Sequence, residues 1–353
     1  MAPAVRTESL TKDFRAGFWR SRPHRALDGL SFEIPTGGVF GLLGPNGAGK
    51  STTLKLLLNL LWPTSGRAEV LGRPPGDLRA RRQLGFLPEH PTFYDHLTAE
   101  ELLSYFAGLC GFSAADRRTR AAAVLSEVGL GDDRRRPIRQ YSKGMVQRLG
   151  IAQALVNDPA LVIFDEPMSG LDPVGRREVR ELILRLRDQG RTILFSSHIL
   201  SDAELLCSRV GILSKGRLVA AGSVSELTDR AEAGRGWELV MTSVAPIVAD
   251  RLAHRVRRMT RITEGRYSFE LAAHDRPEPF VAELAATGAS IVSINPLRTT
   301  LEDVFFERVG TAAGPGANAV ASARMGAGPS PVAARALSDL PHAASGGGRG
   351  DRS

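Results

Sequence analysis

Lysine is scarce in this 353-residue chain: only Lys12, Lys50, Lys55, Lys143 and Lys215 stand among its 46 basic residues, and the rest are arginines. With abundant alanine and glycine, that bias reads as the codon usage of a GC-rich genome and not as a nucleic-acid footprint. The arginines are interspersed with 38 acidic residues and gather on no single stripe, so a net charge of +8 identifies no partner. Nucleic acid is not expected as one. Cysteine is equally rare. Cys110 and Cys207 lack metal-ligand spacing, which argues against a zinc site or a disulfide framework and reads as reduced thiols of a cytosolic protein. Long apolar runs are missing too. The best, LKLLLNLLW (54–62), falls well short of the roughly 20 residues that a bilayer-spanning helix needs. The stretch MAPAVRTESLTKDF carries no apolar segment of a secretory leader. If the chain serves a membrane process, another chain is expected to supply the membrane part.

What is present is an ordinary globular composition, 42% hydrophobic and 24% charged. Residues 1–233 alternate short apolar runs with helical patterns, the rhythm of an α/β domain with a mainly parallel sheet. VFGLLG (39–44), LVIFDE (161–166) and TILFSSH (192–198) read as buried strands, each ending at a polar turn. EELLSYFAGLC, ADRRTRAAAVLSEVGL and RREVRELILRLRDQG read as helices, the last stopped by Gly190. A smaller α+β unit is expected over 235–308, with strands WELVMTS, RYSFELA and ASIVSI and a helix PEPFVAELAATG. TTLEDVFFERV opens with a capping box that pairs Thr299 with Glu302. From 310 to 353 the chain turns to Ala, Gly, Pro and Ser, a composition expected to remain disordered.

GPNGAGKST (44–52) fits G-x-x-x-x-G-K-[ST], with a strand before it and the helical KSTTLKLLLNLL after it. In such a loop the backbone N–H groups of Gly44, Pro45, Asn46, Gly47, Ala48 and Gly49 (proline excepted) converge on phosphate oxygens. The helix dipole behind Lys50, Ser51 and Thr52 adds to their pull. Lys50 is then expected to reach the β- and γ-phosphates and Ser51 to ligate Mg²⁺. The apolar strand LVIFDE ends in a carboxylate pair. Asp165 is placed to hold Mg²⁺ and Glu166 to orient and deprotonate a water.

The order GPNGAGKST, YSKGM (141–145), LVIFDEP (161–167), SGLD (169–172) and FSSH (195–198) resembles the nucleotide-binding subunit of ABC transporters. The resemblance covers residues 1 to about 308. It implies a P-loop cassette with a parallel sheet and a helical subdomain, and ATP with Mg²⁺ as the bound species. In that family the stretch matching YSKGM caps the γ-phosphate of ATP held by a second subunit. Ser142 and Gly144 would do so here from a helix N-terminus. Asp172 would belong to the loop that communicates between sites, and His198 would be the switch histidine at the γ-phosphate. Phe14 matches the aromatic that stacks on adenine, with Phe18 and Trp19 as rivals.

Two features depart from the family pattern. Lys143 and Met145 replace a glycine and a glutamine of the usual Leu-Ser-Gly-Gly-Gln, and Glu89, in LGFLPEHPTFYDHLT (84–98), stands where glutamine is usual. Glu89 is still expected to offer oxygen to Mg²⁺ or water. The ending PLRTTLEDVFFERVG resembles the C-terminal extension of exporter ATPases whose permease is a separate chain. The implied protein is a bacterial exporter ATPase at the cytoplasmic membrane face, a homodimer with an integral membrane permease. An importer ATPase and a non-transport ABC ATPase are the alternatives. The latter would need a coiled-coil insertion or a second cassette, and neither is seen.

Overall fold

The computed structural model describes residues 2–15, 23–232, 236–272, 274–297 and 299–312. Three sheets organise them. An antiparallel sheet of order β2-β1-β4 joins β1 (Val5–Arg15), β2 (Pro23–Ile34) and β4 (Ser65–Val70). The central sheet has the order β5-β6-β7-β3-β8-β9. Its strands are β3 (Gly38–Leu43), β5 (Leu84–Leu87), β6 (Leu161–Asp165), β7 (Thr192–Ser197), β8 (Arg209–Ser214) and β9 (Arg217–Ser223). All its pairings are parallel except β8 with β9. A third, antiparallel sheet has the order β11-β12-β10-β13, from β10 (Trp237–Thr242), β11 (Arg258–Thr263), β12 (Arg266–Glu270) and β13 (Ser290–Pro296). The helices are α1 (Lys50–Leu57), α2 (Leu78–Arg82), α3 (Ala99–Leu109), α4 (Ala114–Glu127), α5 (Lys143–Leu155), α6 (Pro173–Asp188), α7 (Leu200–Leu206), α8 (Val224–Glu232), α9 (Pro246–Leu252), α10 (Pro277–Ala286) and α11 (Leu301–Ala312).

The apolar strands are buried on both faces, as a covered parallel sheet requires. Val162 and Phe164 join a core with α3, α4, α5 and α6, whereas Leu161 and Ile163 join one with Phe40, Leu42 and Leu54. The register then decides where the site lies. Asp165 pairs with Ser196 and Leu43 with Ser197, so the carboxyl ends of β6, β7 and β3 finish side by side. Ligands in open α/β sheets bind at that edge.

The small unit runs β10-α9-β11-β12-α10-β13, a split βαβ arrangement. Leu239, Met241, Tyr267, Phe269, Phe280 and Leu284 form its own core. The expected strands and helix are present, while β11 and α9 leave no signal in the sequence pattern. In β11 (RMTRIT) only Met259 and Ile262 are apolar and they do not alternate, and α9 has too few turns to show a period. Helix α11 instead sends Leu301 and Val304 into the large core beside Leu200, Ala203 and Leu206. The chain divides into two units, Met1–Val309 and Gly310–Ser353, and all the motifs singled out in the sequence fall in the first. All of the Ala/Gly/Pro-rich stretch beyond residue 312 lies outside the described residues, as do Phe18 and Trp19.

Two local expectations need correction. The capping box pairs Thr300 with Asp303, not Thr299 with Glu302: Thr300 N donates to Asp303 Oδ2 at 3.0 Å and Asp303 N to Thr300 Oγ1 at 3.2 Å. Both frames satisfy the [ST]-x-x-[DE] pattern. The observed frame starts the helix at Leu301, which is fully buried, with Val304 beside it in the core. The helix after the phosphate loop also ends at Leu57, short of the Leu61 end of the expected KSTTLKLLLNLL, and Asn59 just beyond it takes a left-handed φ of +55°.

Candidate nucleotide site

The loop 44–49 leaves β3 and enters α1 through backbone conformations that favour glycine. Gly49 caps α1 at φ +109°, and a Cβ there would stand 2.6 Å from Leu27 Cδ2 and 2.8 Å from Ala26 O. Gly44, at φ +148°, would place one 2.3 Å from Leu213 O. The loop therefore lies against β2 and β8 without side chains between, with Gly44 N donating to Ser197 O at 3.3 Å and Ala48 N to Pro45 O at 3.1 Å.

Six side chains meet at the carboxyl edge of the central sheet: Lys50, Ser51, Asp165, Glu166, Ser196 and His198. Lys50, nearly buried, donates to Gly44 O at 2.7 Å and Pro45 O at 3.3 Å, and its Nζ lies 3.2 Å from Glu166 Oε1. Glu166 Oε2 lies 2.8 Å from His198 Nδ1 and accepts from His198 N at 3.4 Å. An ionised carboxylate only accepts, so this contact puts the imidazole proton on Nδ1. Ser51 Oγ donates to Asp165 Oδ1 at 3.2 Å. Ser196 Oγ donates to the same oxygen at 2.6 Å and accepts from Glu166 N at 2.9 Å. Glu166 itself has φ +49°, a conformation that costs a non-glycine residue about 1–3 kcal/mol.

Before these groups opens a cleft of about 230 Å³, lined by Phe14, His24, Ala26, Asn46, Gly47, Gly49, Lys50, Ser51, Thr52, Glu89 and Glu166. Phe14 and Glu89 thus lie with the phosphate loop. Lys12 Nζ sits 5.2 Å from the centre of the Phe14 ring, which places a cation on its π face. Ser142, Gly144 and Asp172 do not line this cleft. Ser142 caps α5, its Oγ accepting from Met145 N at 3.3 Å, and a Cβ on Gly144 would meet only Ser142 Oγ, at 4.0 Å. Asp172 caps α6 by accepting from Gly175 N at 3.0 Å.

Sequence reading missed three participants. His24 stands opposite Phe14 in the β1–β2 register. Ser196 depends on the neighbour relation of β6 and β7, although FSSH contains it. Gln147, nearly buried, donates from α5 to Pro167 O at 2.9 Å. Two facing strands and a helix contact are tertiary facts, invisible to local pattern.

A phosphate-binding loop, a Ser–Asp oxygen pair and a Glu–His pair on one sheet edge can hold a nucleotide triphosphate and poise a water against it. Known proteins agree. A sequence profile described as "ABC transporter" matches residues 27–169. The chain is 41% identical to an uncharacterised ABC transporter ATP-binding protein of Synechocystis, over 87% of this chain and 85% of that one. It is 43% identical to a fluoroquinolones export ATP-binding protein of Mycobacterium tuberculosis, over 57% of this chain and 66% of that one. Among solved structures, a dimeric ATP-binding cassette in a post-hydrolysis state with ADP and phosphate is 26% identical, with a TM-score of 0.56, over 62% of this chain and 98% of that one. The chain belongs to the ABC transporter family, as one of its ATP-binding, ATP-hydrolysing subunits.

Proposed function

We propose that this chain powers an ABC exporter as a homodimer docked on a separate integral membrane permease at the cytoplasmic face of a bacterial membrane. The observation that carries the dimer is the separation of the phosphate ligands. Lys50, Glu166 and His198 line or edge one cleft, while the helix start at Ser142 and Gly144 stands apart from it. The cleft lining includes the phosphate loop but neither Ser142 nor Gly144, and a second copy's YSKGM would supply that part. Among the described residues no helix is long and apolar enough to cross a membrane, in keeping with a separate permease. The export direction is supported by likeness to the fluoroquinolones export protein and by the LEDVF ending. We assign β10–β13 with α9 and α10, which have their own core, to an accessory domain within 235–308.

Hard oxygens suit Mg²⁺. Ser51 Oγ and Asp165 Oδ1, 3.2 Å apart, together with Glu89 at the cleft wall, fit as its protein contacts, with the remaining positions left to phosphate and water. The metal would neutralise charge on the β- and γ-phosphates. Phosphate also competes with Glu166 for the Lys50 ammonium, and that exchange frees Oε1 to accept a proton from water. His198 holds the other oxygen and orients the carboxylate.

Gentle detergent extraction of the tagged chain tests the assembly. A co-purifying chain with several membrane-spanning helices is expected, together with ATPase activity stimulated by an exported compound. Recovery of the chain with no membrane protein under conditions that preserve its ATPase would contradict the assignment.

A further inference from the structure

Two side chains four residues apart on α5 both reach the loop 166–171 of the same chain, as i,i+4 spacing on one helix face allows. Gln147 is only 5% exposed, and its Nε2 donates to Pro167 O at 2.9 Å. Lys143, one turn nearer the helix start, lays its ammonium over Gly170, where a Cβ would stand 2.1 Å from Nζ. Among the described residues that ammonium has no ion-pair or hydrogen-bond partner, and a cation in the first turn opposes the helix dipole. Helix stability therefore gives no reason for the lysine, whereas its seat on Gly170 does. The loop gripped at these two points is a tight turn: Ser169 N donates to Glu166 O at 3.0 Å, and Met168 and Leu171 are buried. Glu166 opens it at φ +49°. A left-handed conformation in such a residue persists only where its surroundings over-determine it.

We propose that Gln147, seconded by Lys143, is a positioning residue for Glu166. Helix α5 clamps the backbone of the loop and holds the catalytic carboxylate in its left-handed conformation. This rests on Glu166 as the base and on Ser142 and Gly144 as ligands of the partner's nucleotide. Because α5 starts at those ligands, the clamp joins the phosphate ligand for one site to the base of the other. Capture of a γ-phosphate by one subunit's signature then bears directly on that subunit's own Glu166.

The test is steady-state ATP hydrolysis by the full chain at varied Mg²⁺-ATP, comparing wild type, Gln147→Leu, Glu166→Gln and the double variant. Lys143→Ala, at an exposed position that leaves the core intact, is carried through the same comparison in case Gln147→Leu fails to fold. Gln147→Leu is expected to lower kcat about tenfold with KM nearly unchanged, and Lys143→Ala about threefold, the pattern of a lost transition-state contact. In the Glu166→Gln background neither change should lower the residual rate further, because the group they position is gone. A merely structural role would give the same fold-loss in both backgrounds, and that result would overturn the proposal. So would a rise in KM alone, or unchanged kcat in both clamp variants. Wild-type turnover by Glu166→Gln alone would remove the underlying reading of the base, and it is visible before either clamp variant is compared.

Discussion

Glu166 divides its two oxygens between Lys50 at 3.2 Å and His198 at 2.8 Å, both of which we propose also to meet phosphate. The base proposed here is replaceable in shape but not in chemistry. Glu166→Gln keeps the hydrogen-bonding outline and loses the proton acceptor, so kcat should fall by about 10² to 10⁴ with ATP binding retained, measured by phosphate release against equilibrium binding. Glu89 is a different case. It lines the cleft with its side chain 45% exposed, so its charge is solvated, and the role we propose for it at Mg²⁺ is a single oxygen contact. Glu89→Gln should keep appreciable hydrolysis, whereas Glu89→Ala should weaken coupling to transport more than ATP binding. A dead Gln variant beside an active Ala variant would show the charge itself to be required. The thiols separate equally plainly. Cys207 is buried against Gly41, and burial pushes its pKa well up; partial burial raises that of Cys110 too, but its thiol is exposed to reagent. The thiolate is the reactive form, so iodoacetamide on the native protein should modify Cys110 and spare Cys207 until unfolding, as peptide mass mapping would show.

Thr299 and Thr300 show how one residue of frame shift matters to a helix. Thr300 caps α11 through Asp303, while Thr299 is buried with its hydroxyl unpartnered among the described residues. Thr300→Ala should therefore cost about 1 kcal/mol. Thr299→Val should be neutral or stabilising, since it removes a buried polar group that has no bond to lose. Thermal melting of the two variants checks this, and the reverse order would restore the Thr299 frame. That frame is legible in the sequence only as a choice between two equal patterns; packing of Leu301 and Val304 decides it. The central strands are readable because β6 and β7 carry the apolar runs LVIF and ILF, and the phosphate loop because its glycines and lysine fall within one short segment. The antiparallel sheet of β1, β2 and β4 is not. Its strands are separated by β3 and α1, and β1 carries register shifts that break the alternation. His24, Ser196 and Gln147 are hidden for the same reason, since each acts across a pairing or packing that local sequence does not encode.

Taken whole, the subunit presents a nearly complete catalytic edge and, elsewhere, a helix start at Ser142 and Gly144 that its own phosphate loop does not reach. In the proposed dimer these two residues acquire a ligand role beyond capping α5, when a second copy brings its phosphate loop to them. Mg²⁺-ATP should then drive association, and hydrolysis should belong to the dimer. Specific ATPase activity of the wild-type chain, measured over a dilution series with mass determined in parallel by light scattering, tests this most directly. Activity per chain is expected to fall in step with the dimer fraction and to vanish in Gly144→Asp at every concentration. Full specific activity from a demonstrated monomer would contradict the shared site.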